Sequence, residues 1–183
     1  MRRFGLVCAF VATVLAGTAM AQGQAQETPR RGGNLIFAVN AEPPTYDCIS
    51  TTTFAAVQTL NPHYSQLLKF DPEHYPQVRG DVAERWEVAP DGLTYTFRLR
   101  PNVRFHDGTV LTSEDVKATY DRIRNPPAGL VSVRQSDYSD ISAIETPDPL
   151  TVVFRLSQPA ASMLFNFASP WNCIFSAAKL RED

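Results

Sequence analysis

Histidines, cysteines and serines are the side chains through which this 183-residue chain could act on a substrate or hold a metal. His63, His74 and His106 are dispersed. None has a partner four residues away, and no carboxylate stands at metal-ligand spacing from them. His106-Asp107-Gly108 has the composition of a turn. Serine and histidine form no nucleophile-and-base pattern, no G-x-S-x-G elbow occurs, and Gly32-Gly33 does not open a phosphate-binding loop. The expectation is a protein without catalysis, metal or cofactor. The thiols offer other chemistry. Cys8 lies in an N-terminal apolar run, which leaves Cys48 and Cys173 as an even pair. In an exported chain such a pair invites a disulfide, with two buried free thiols as the alternative.

Export is read from the first residues. Met1-Arg2-Arg3 supplies positive charge, Phe4 to Ala16 is apolar and uncharged, and Ala19-Met20-Ala21 fits a signal-peptidase site. The run is shorter than the roughly 20 residues a bilayer crossing takes. Residues 1–21 are therefore expected to be a removed signal peptide. Cys8 sits inside the run rather than at its end, which argues against lipidation. No second apolar run of membrane length follows, so the mature chain is expected not to span a membrane. The full chain carries 17 basic and 19 acidic residues, and loss of Arg2 and Arg3 leaves a net charge of about −4. There is no basic stripe, so nucleic acid is not an expected partner.

The elements that would position any site follow from pattern and turn chemistry. Gln22 to Arg31 is polar and reads as a flexible leader. Asn34 to Val39 is an almost unbroken apolar run, as in a strand covered on both faces, and Pro43-Pro44 ends it. Ser50 and three threonines precede Phe54 to Leu60, a short helix with a hydroxyl cap; Leu68-Lys69-Phe70 looks like a short strand. Trp86-Glu87-Val88 and Leu93 to Arg100 flank Pro90-Asp91-Gly92, a turn in which proline presets φ and glycine accepts a positive one. Leu93, Tyr95, Phe97 and Leu99 share one face of the second strand, a half-buried antiparallel pattern. Thr112 to Asp115 is a capping box, followed by Val116, Tyr120 and Ile123 on one helical stripe; Asn125-Pro126-Pro127 stops the helix. Gly129 to Ser139 reads as a loop. A second hairpin joins Ile141–Glu145 to Leu150–Leu156; a helix spans Ala160 to Phe167, and Cys173-Ile174-Phe175 reads as a buried strand. The class is α/β (α+β), with a sheet fed by hairpins.

The run from Ala83 through Trp86, Pro90-Asp91-Gly92 and Phe97 to Arg100 resembles the signature of family 5 solute-binding proteins, the oligopeptide-, dipeptide- and nickel-binding proteins of ABC importers. Val103-Arg104-Phe105-His106-Asp107-Gly108 and Leu111 to Val116 continue it. Ile141 to Glu145 and Thr151 to Leu156 with Pro159 extend it over nearly the whole mature chain. The resemblance implies a periplasmic-binding-protein-like type II clamshell, here part of the first lobe with a mixed sheet and hairpins over residues 32–183. It implies two lobes that close on a solute and present it to a permease. Family members are several hundred residues long, so the rest of the first lobe, the hinge and the opposing lobe are expected to lie outside this chain. Either a fragment or a truncated gene would account for that.

Ligands in this fold class sit beyond strand ends, which makes the loops after buried strands the natural lining. The stretch Ala41 to Cys48 is one, and in relatives the matching stretch approaches the ligand. Glu42 is a candidate acceptor for a peptide ammonium and Tyr46 a candidate for stacking or hydrogen bonding; Asp47 is set against as a solvated acid. Trp171 and Asn172, in the loop before Cys173, are candidates for the same cleft, with a core tryptophan as the alternative. Two loops on one cleft would make Cys48 and Cys173 neighbours, bracing the rim. The expected function is a monomeric periplasmic receptor that captures a solute, a peptide by default, for an ABC permease and ATPase. The alternatives are a non-transport sensor or chaperone-like binding protein, and a non-functional truncated product; a neighbouring permease gene or a sensor kinase would discriminate the first two.

Overall fold

The computed structural model describes residues 32–182. The expected signal peptide and leader, 1–21 and 22–31, lie outside the described residues. Contacts divide the chain after Ile36. Residues 32–36, the described part of the first unit, carry no regular structure. The second unit begins at Phe37.

The centre of this unit is a four-stranded sheet in the order β3-β4-β6-β5, with β3 Ala83–Val88, β4 Thr94–Leu99, β5 Ile141–Asp148 and β6 Thr151–Leu156. The first hairpin forms as its turn dictates. Gly92 adopts a φ of 71°, its N–H donates to the Ala89 carbonyl at 2.8 Å, and Asp91 Oδ1 accepts the Leu93 N–H at 2.9 Å. Trp86 then faces Phe97 and Val88 faces Tyr95 across the ladder. The second hairpin turns on Asp148, whose Oδ1 accepts the Leu150 N–H at 2.8 Å while Oδ2 accepts the Thr151 hydroxyl at 2.7 Å. This carboxylate lets β5 run three residues beyond the expected Glu145. Every pairing among the described strands is antiparallel, so the parallel component of the expected mixed sheet is not represented in them.

Tyr95, Phe97 and Leu99 point from β4 into the core, as their alternation predicts. Helix α2, Ser113–Arg124, covers that face with Val116, Tyr120 and Ile123. Its N-terminus is set by Asp115: Oδ2 accepts the Thr112 N–H at 2.8 Å, and Oδ1 reaches the Ala177 N–H at 2.8 Å. One carboxylate thus ties α2 to the start of α4, Ala177–Leu180. Helix α3, Met163–Phe167, delivers Phe167 to the middle of an aromatic cluster. Its ring lies 5.1 Å from Phe97, 4.7 Å from Phe154 and 5.4 Å from Tyr120.

A smaller antiparallel pair, β1 Leu68–Phe70 and β2 Val78–Gly80, and helix α1, Phe54–Leu60, complete the unit with a single-turn 3-10 helix at Gln135–Tyr138. Strand β2 was not expected; Gly80 permits it, because a Cβ there would lie 2.1 Å from the Ala83 carbonyl oxygen. The hydroxyl cap expected on α1 is absent: Thr53 holds the cap position without a side-chain bond.

Two expected strands do not form. Residues 34–39 pair with no described strand, and Leu35 and Ile36 are 86% and 93% exposed. A ladder needs a neighbour's amides, and apolar pattern alone supplies none. Cys173 and Ile174 are buried and Phe175 partly so, but the segment bonds to two unlike partners, the Ile174 N–H to the Ser65 carbonyl (3.0 Å) and the Phe175 N–H to the Thr119 hydroxyl (2.9 Å). Loop and helix side chain take the amides that a strand would have used. Among the described residues no helix is long and apolar enough to cross a membrane.

Candidate functional site

The candidate site is assembled from two loops that are distant in sequence. The first runs from Ala41 to Thr53 and is shaped by its own side chains. Asp47 Oδ1 accepts the Ile49 N–H at 2.9 Å, and the Asp47 N–H donates to the Thr45 hydroxyl at 3.1 Å. Asp47 is thus spent on folding the loop. The second loop follows α3, where the Asn172 N–H donates to the Ser169 carbonyl at 3.0 Å and so turns the chain. A disulfide between Cys48 and Cys173 joins the two, with 6.1 Å between the Cα atoms. Both cysteines are buried with Ala56 and Leu60 in a small cluster of their own, beneath Tyr64 and Phe175.

A third segment locks this junction. Arg134, buried to 7% exposure, donates from Nη1 to the Cys48 and Ile49 carbonyls (3.1 and 3.5 Å) and from Nη2 to the Thr51 carbonyl (2.7 Å). The Val133 N–H adds a bond to the Ile49 carbonyl at 3.3 Å. The guanidinium carbon sits 4.8 Å from the centre of the Trp171 ring, a cation–π contact. Trp171 also meets Phe54, with 5.8 Å between the ring centroids. Burial holds the Arg134 pKa below the ordinary arginine value, offset in part by Tyr138, Asp137 and Asp47.

The sequence-derived candidates fall into different places. Glu42 and Tyr46 are exposed on the first loop. Trp171 is half-buried at the junction, and its indole Nε1 is buried without a hydrogen-bond partner. Asn172 is fully buried and faces inward, where its amide donates to the Tyr138 hydroxyl and, at 2.6 Å, to the Asn166 carbonyl. Its partners are internal, so its part in the rim is to hold the second loop rather than to meet a solute. Tyr138, which also donates to the Asn166 carbonyl at 2.7 Å, is pushed well above the usual tyrosine pKa by burial and stays neutral.

Arg134 and Phe54 were not among the expected residues. Arg134 lies in a stretch that reads as polar loop, and no local pattern distinguishes it from solvated arginines. Phe54 looks like an ordinary helix residue. The histidines stay apart: His74 lies 3.5 Å from Asp71, and His106 packs edge-on against Tyr64 at 6.0 Å. Among the described residues no group of three or more His, Cys, Asp or Glu side chains is arranged to hold a metal.

Known proteins give this arrangement a context. A Di/tripeptide-binding protein 4 of Pseudomonas aeruginosa (strain UCBPP-PA14) is 34% identical over 163 residues, which is 79% of this chain and 30% of that protein. The Glutathione-binding protein GsiB of Escherichia coli O6:K15:H31 (strain 536 / UPEC) is 30% identical over 182 residues, all of this chain and 33% of that protein. Among solved structures, the binding protein AgaA of A. tumefaciens R10, in complex with agropinic acid, superposes with a TM-score of 0.71 at 35% identity, covering 77% of this chain and 28% of that one. OppA of Haemophilus influenzae, in complex with the peptide RPPGFSPFR, shares the fold at 19% identity and a TM-score of 0.69 over 78% of this chain and 30% of its own. The chain therefore spans about a third of the length of the relatives it matches. The α/β fold is of the type II periplasmic-binding-protein class. Residues 77–181 match the model of the bacterial extracellular solute-binding proteins, family 5 Middle, and the chain belongs to that family, one of binding proteins for transporters.

Proposed function

We propose that this chain is the solute-contacting part of a periplasmic receptor of an ABC importer, and that the solute is a small peptide. Residues 1–21 are a signal peptide removed on export, 22–31 a leader, and 32–183 the N-terminal portion of the solute-binding domain. The receptor acts as a monomer, without chemistry on its cargo, and hands it to a permease and its ATPase. Glu42 and Tyr46 meet the solute from the first loop and Trp171 from the second; Asn172 positions the second loop from beneath.

One observation carries this reading beyond family membership: the Cys48–Cys173 disulfide and Arg134 hold two exposed-edged loops in one rigid rim. A receptor that binds by closure needs such a preformed wall, because ordering a loose loop on binding would subtract from affinity. The peptide choice is supported by the names of the relatives from Pseudomonas and Escherichia.

Isothermal titration of the intact native protein tests it, with di- and tripeptides, a hexose and a nickel–histidine complex as the panel. Saturable peptide binding with a Kd of about 1 μM or tighter is expected. Silence towards every peptide, with binding of the sugar or nickel complex, would overturn the peptide assignment. A second reading rests on the 35%-identical structure, which holds agropinic acid. That molecule is included in the panel, and its exclusive binding would make the solute a non-peptide acid.

A further inference from the structure

The second loop also borders a cavity of about 410 Å³, which residues 61–66, the strand β1 and Asp81 enclose together with Pro170. Pockets for small ligands span about 300–1,000 Å³. Asp81 fixes two parts of the wall: Oδ2 accepts the Gln66 N–H at 2.9 Å, and Oδ1 accepts Lys69 Nζ at 2.8 Å. The ion pair cancels its own charge. An ammonium carries three donors, however, and Lys69 commits one of them.

Gln66 is the group in this wall that lacks good partners. It is only 6% exposed, yet its Nε2 makes two long contacts, to Asn61 Oδ1 at 3.4 Å and to the Tyr64 carbonyl at 3.5 Å. No described residue donates to its Oε1. That oxygen is not among the polar atoms sealed from solvent without a partner, so its opening is the cavity that Gln66 lines. Buried carboxamides ordinarily have their hydrogen bonds met inside the protein. This one holds an acceptor and weakly bonded donors at a cavity wall, with the spare Lys69 donors beside it. The complement is a neutral group that offers one N–H and one carbonyl, which is a peptide unit.

An apolar ledge leads out of the same cavity. Phe70 lines it, and its ring stacks on Phe165 at 6.1 Å and meets Tyr75 at 5.4 Å. Phe165 and Tyr75 are exposed, and apolar patches rimmed by polar groups mark binding surfaces.

We propose that this cavity is a peptide-unit subsite, in which Gln66 and Lys69 pair with one backbone amide while Phe70 and Phe165 receive an adjoining large apolar side chain. The proposal rests on the solute-binding reading above and adds a place, apart from Glu42 and Tyr46, where an uncharged part of the solute is read.

The test follows the Gln66 carboxamide resonances of the intact, unmodified protein by NMR. The probes are N-acetyl-leucine methylamide, N-acetyl-glycine methylamide and maltose, with Leu-Leu titrated in parallel by calorimetry. The leucine probe is expected to shift the Gln66 signals and to bind about tenfold more tightly than the glycine probe. Lys69→Met, at a partly exposed position, should weaken the leucine probe about fivefold; Gln66→Met should weaken it further. The resonance readout needs no variant, so a folding defect in Gln66→Met would not blunt it. Unmoved Gln66 signals at saturating leucine probe overturn the subsite, and binding of Leu-Leu in that case leaves the transport reading intact. Shifts with the capped probe in a protein that ignores Leu-Leu keep the subsite and overturn the transport reading. Equal affinity for the two capped probes overturns the role of the aromatic ledge. Shifts with maltose alone overturn the assignment to a peptide unit.

Discussion

Phe167 concentrates the packing of the core in one side chain. It is fully buried and touches Tyr95, Phe97, Tyr120, Tyr138 and Phe154, with ring centroids between 4.7 and 6.1 Å apart. These neighbours come from two strands, a helix and the 3-10 helix, so no single one can move to fill the space the ring vacates. Phe167→Ala is expected to lower stability by about 3–5 kcal/mol, read as a shift of the urea midpoint at unchanged slope. A loss below about 1 kcal/mol would mean that the cluster collapses around the gap. Asp115 shows a different limit of residue-scale reading. Its role in the capping box is a local pattern and can be read from four residues. Its bond to Ala177 spans 62 positions and has no local signature.

Among elements, the hairpins form where short-range chemistry dictates them. Pro90-Asp91-Gly92 and Asp148 fix their turns through bonds within a few residues. The solvent face of the β5–β6 hairpin carries its own electrostatics. Arg155 Nε meets Glu145 at 2.6 Å and holds that carboxyl below its ordinary pKa. Asp148 is lowered first by the Thr151 hydroxyl, then by the Leu150 N–H and Arg98. A carboxylate with a depressed folded-state pKa adds stability that is complete above its unfolded pKa and is lost as the pH falls through the folded one. Stability should therefore fall progressively from about pH 5 downward. The double variant Glu145→Gln/Asp148→Asn should show a shallower fall in denaturation curves taken along that series. Identical slopes would assign the acid sensitivity elsewhere. Both groups are exposed, so the effect is modest and salt-dependent.

The whole molecule is held by contacts of long sequence separation. The disulfide closes a separation of 125 residues and joins a loop before the sheet to one after it. In the chain-entropy account, loss of so long a closure destabilises by about 4–5 kcal/mol. The double variant Cys48→Ser/Cys173→Ser should unfold at correspondingly lower denaturant, and reduction of the native protein should match it. An unchanged midpoint would show that Arg134 and the buried cluster under Tyr64 and Phe175 hold the rim without the covalent bond.

Much of this protein is local and therefore legible in its residues: both hairpins, the capped amphipathic helix α2, the face of β4 that enters the core, and the family pattern they compose. Each rests on spacing, turn chemistry or side-chain alternation over fewer than about 15 residues. The failures share a cause. The apolar runs at 34–39 and 173–175 read as strands, but a strand exists only where another backbone offers its amides, and partner choice is a property of the assembled chain. The site divides along the same line. Cys48, Cys173 and Trp171 stand out by residue type alone. Asn172 turns inward because Tyr138 and the Asn166 carbonyl are beneath it, and Arg134 becomes the keystone of the rim because three carbonyls and an indole converge on it. Burial converts an ordinary loop arginine into a tie between loops, and only the tertiary structure decides which arginine is buried.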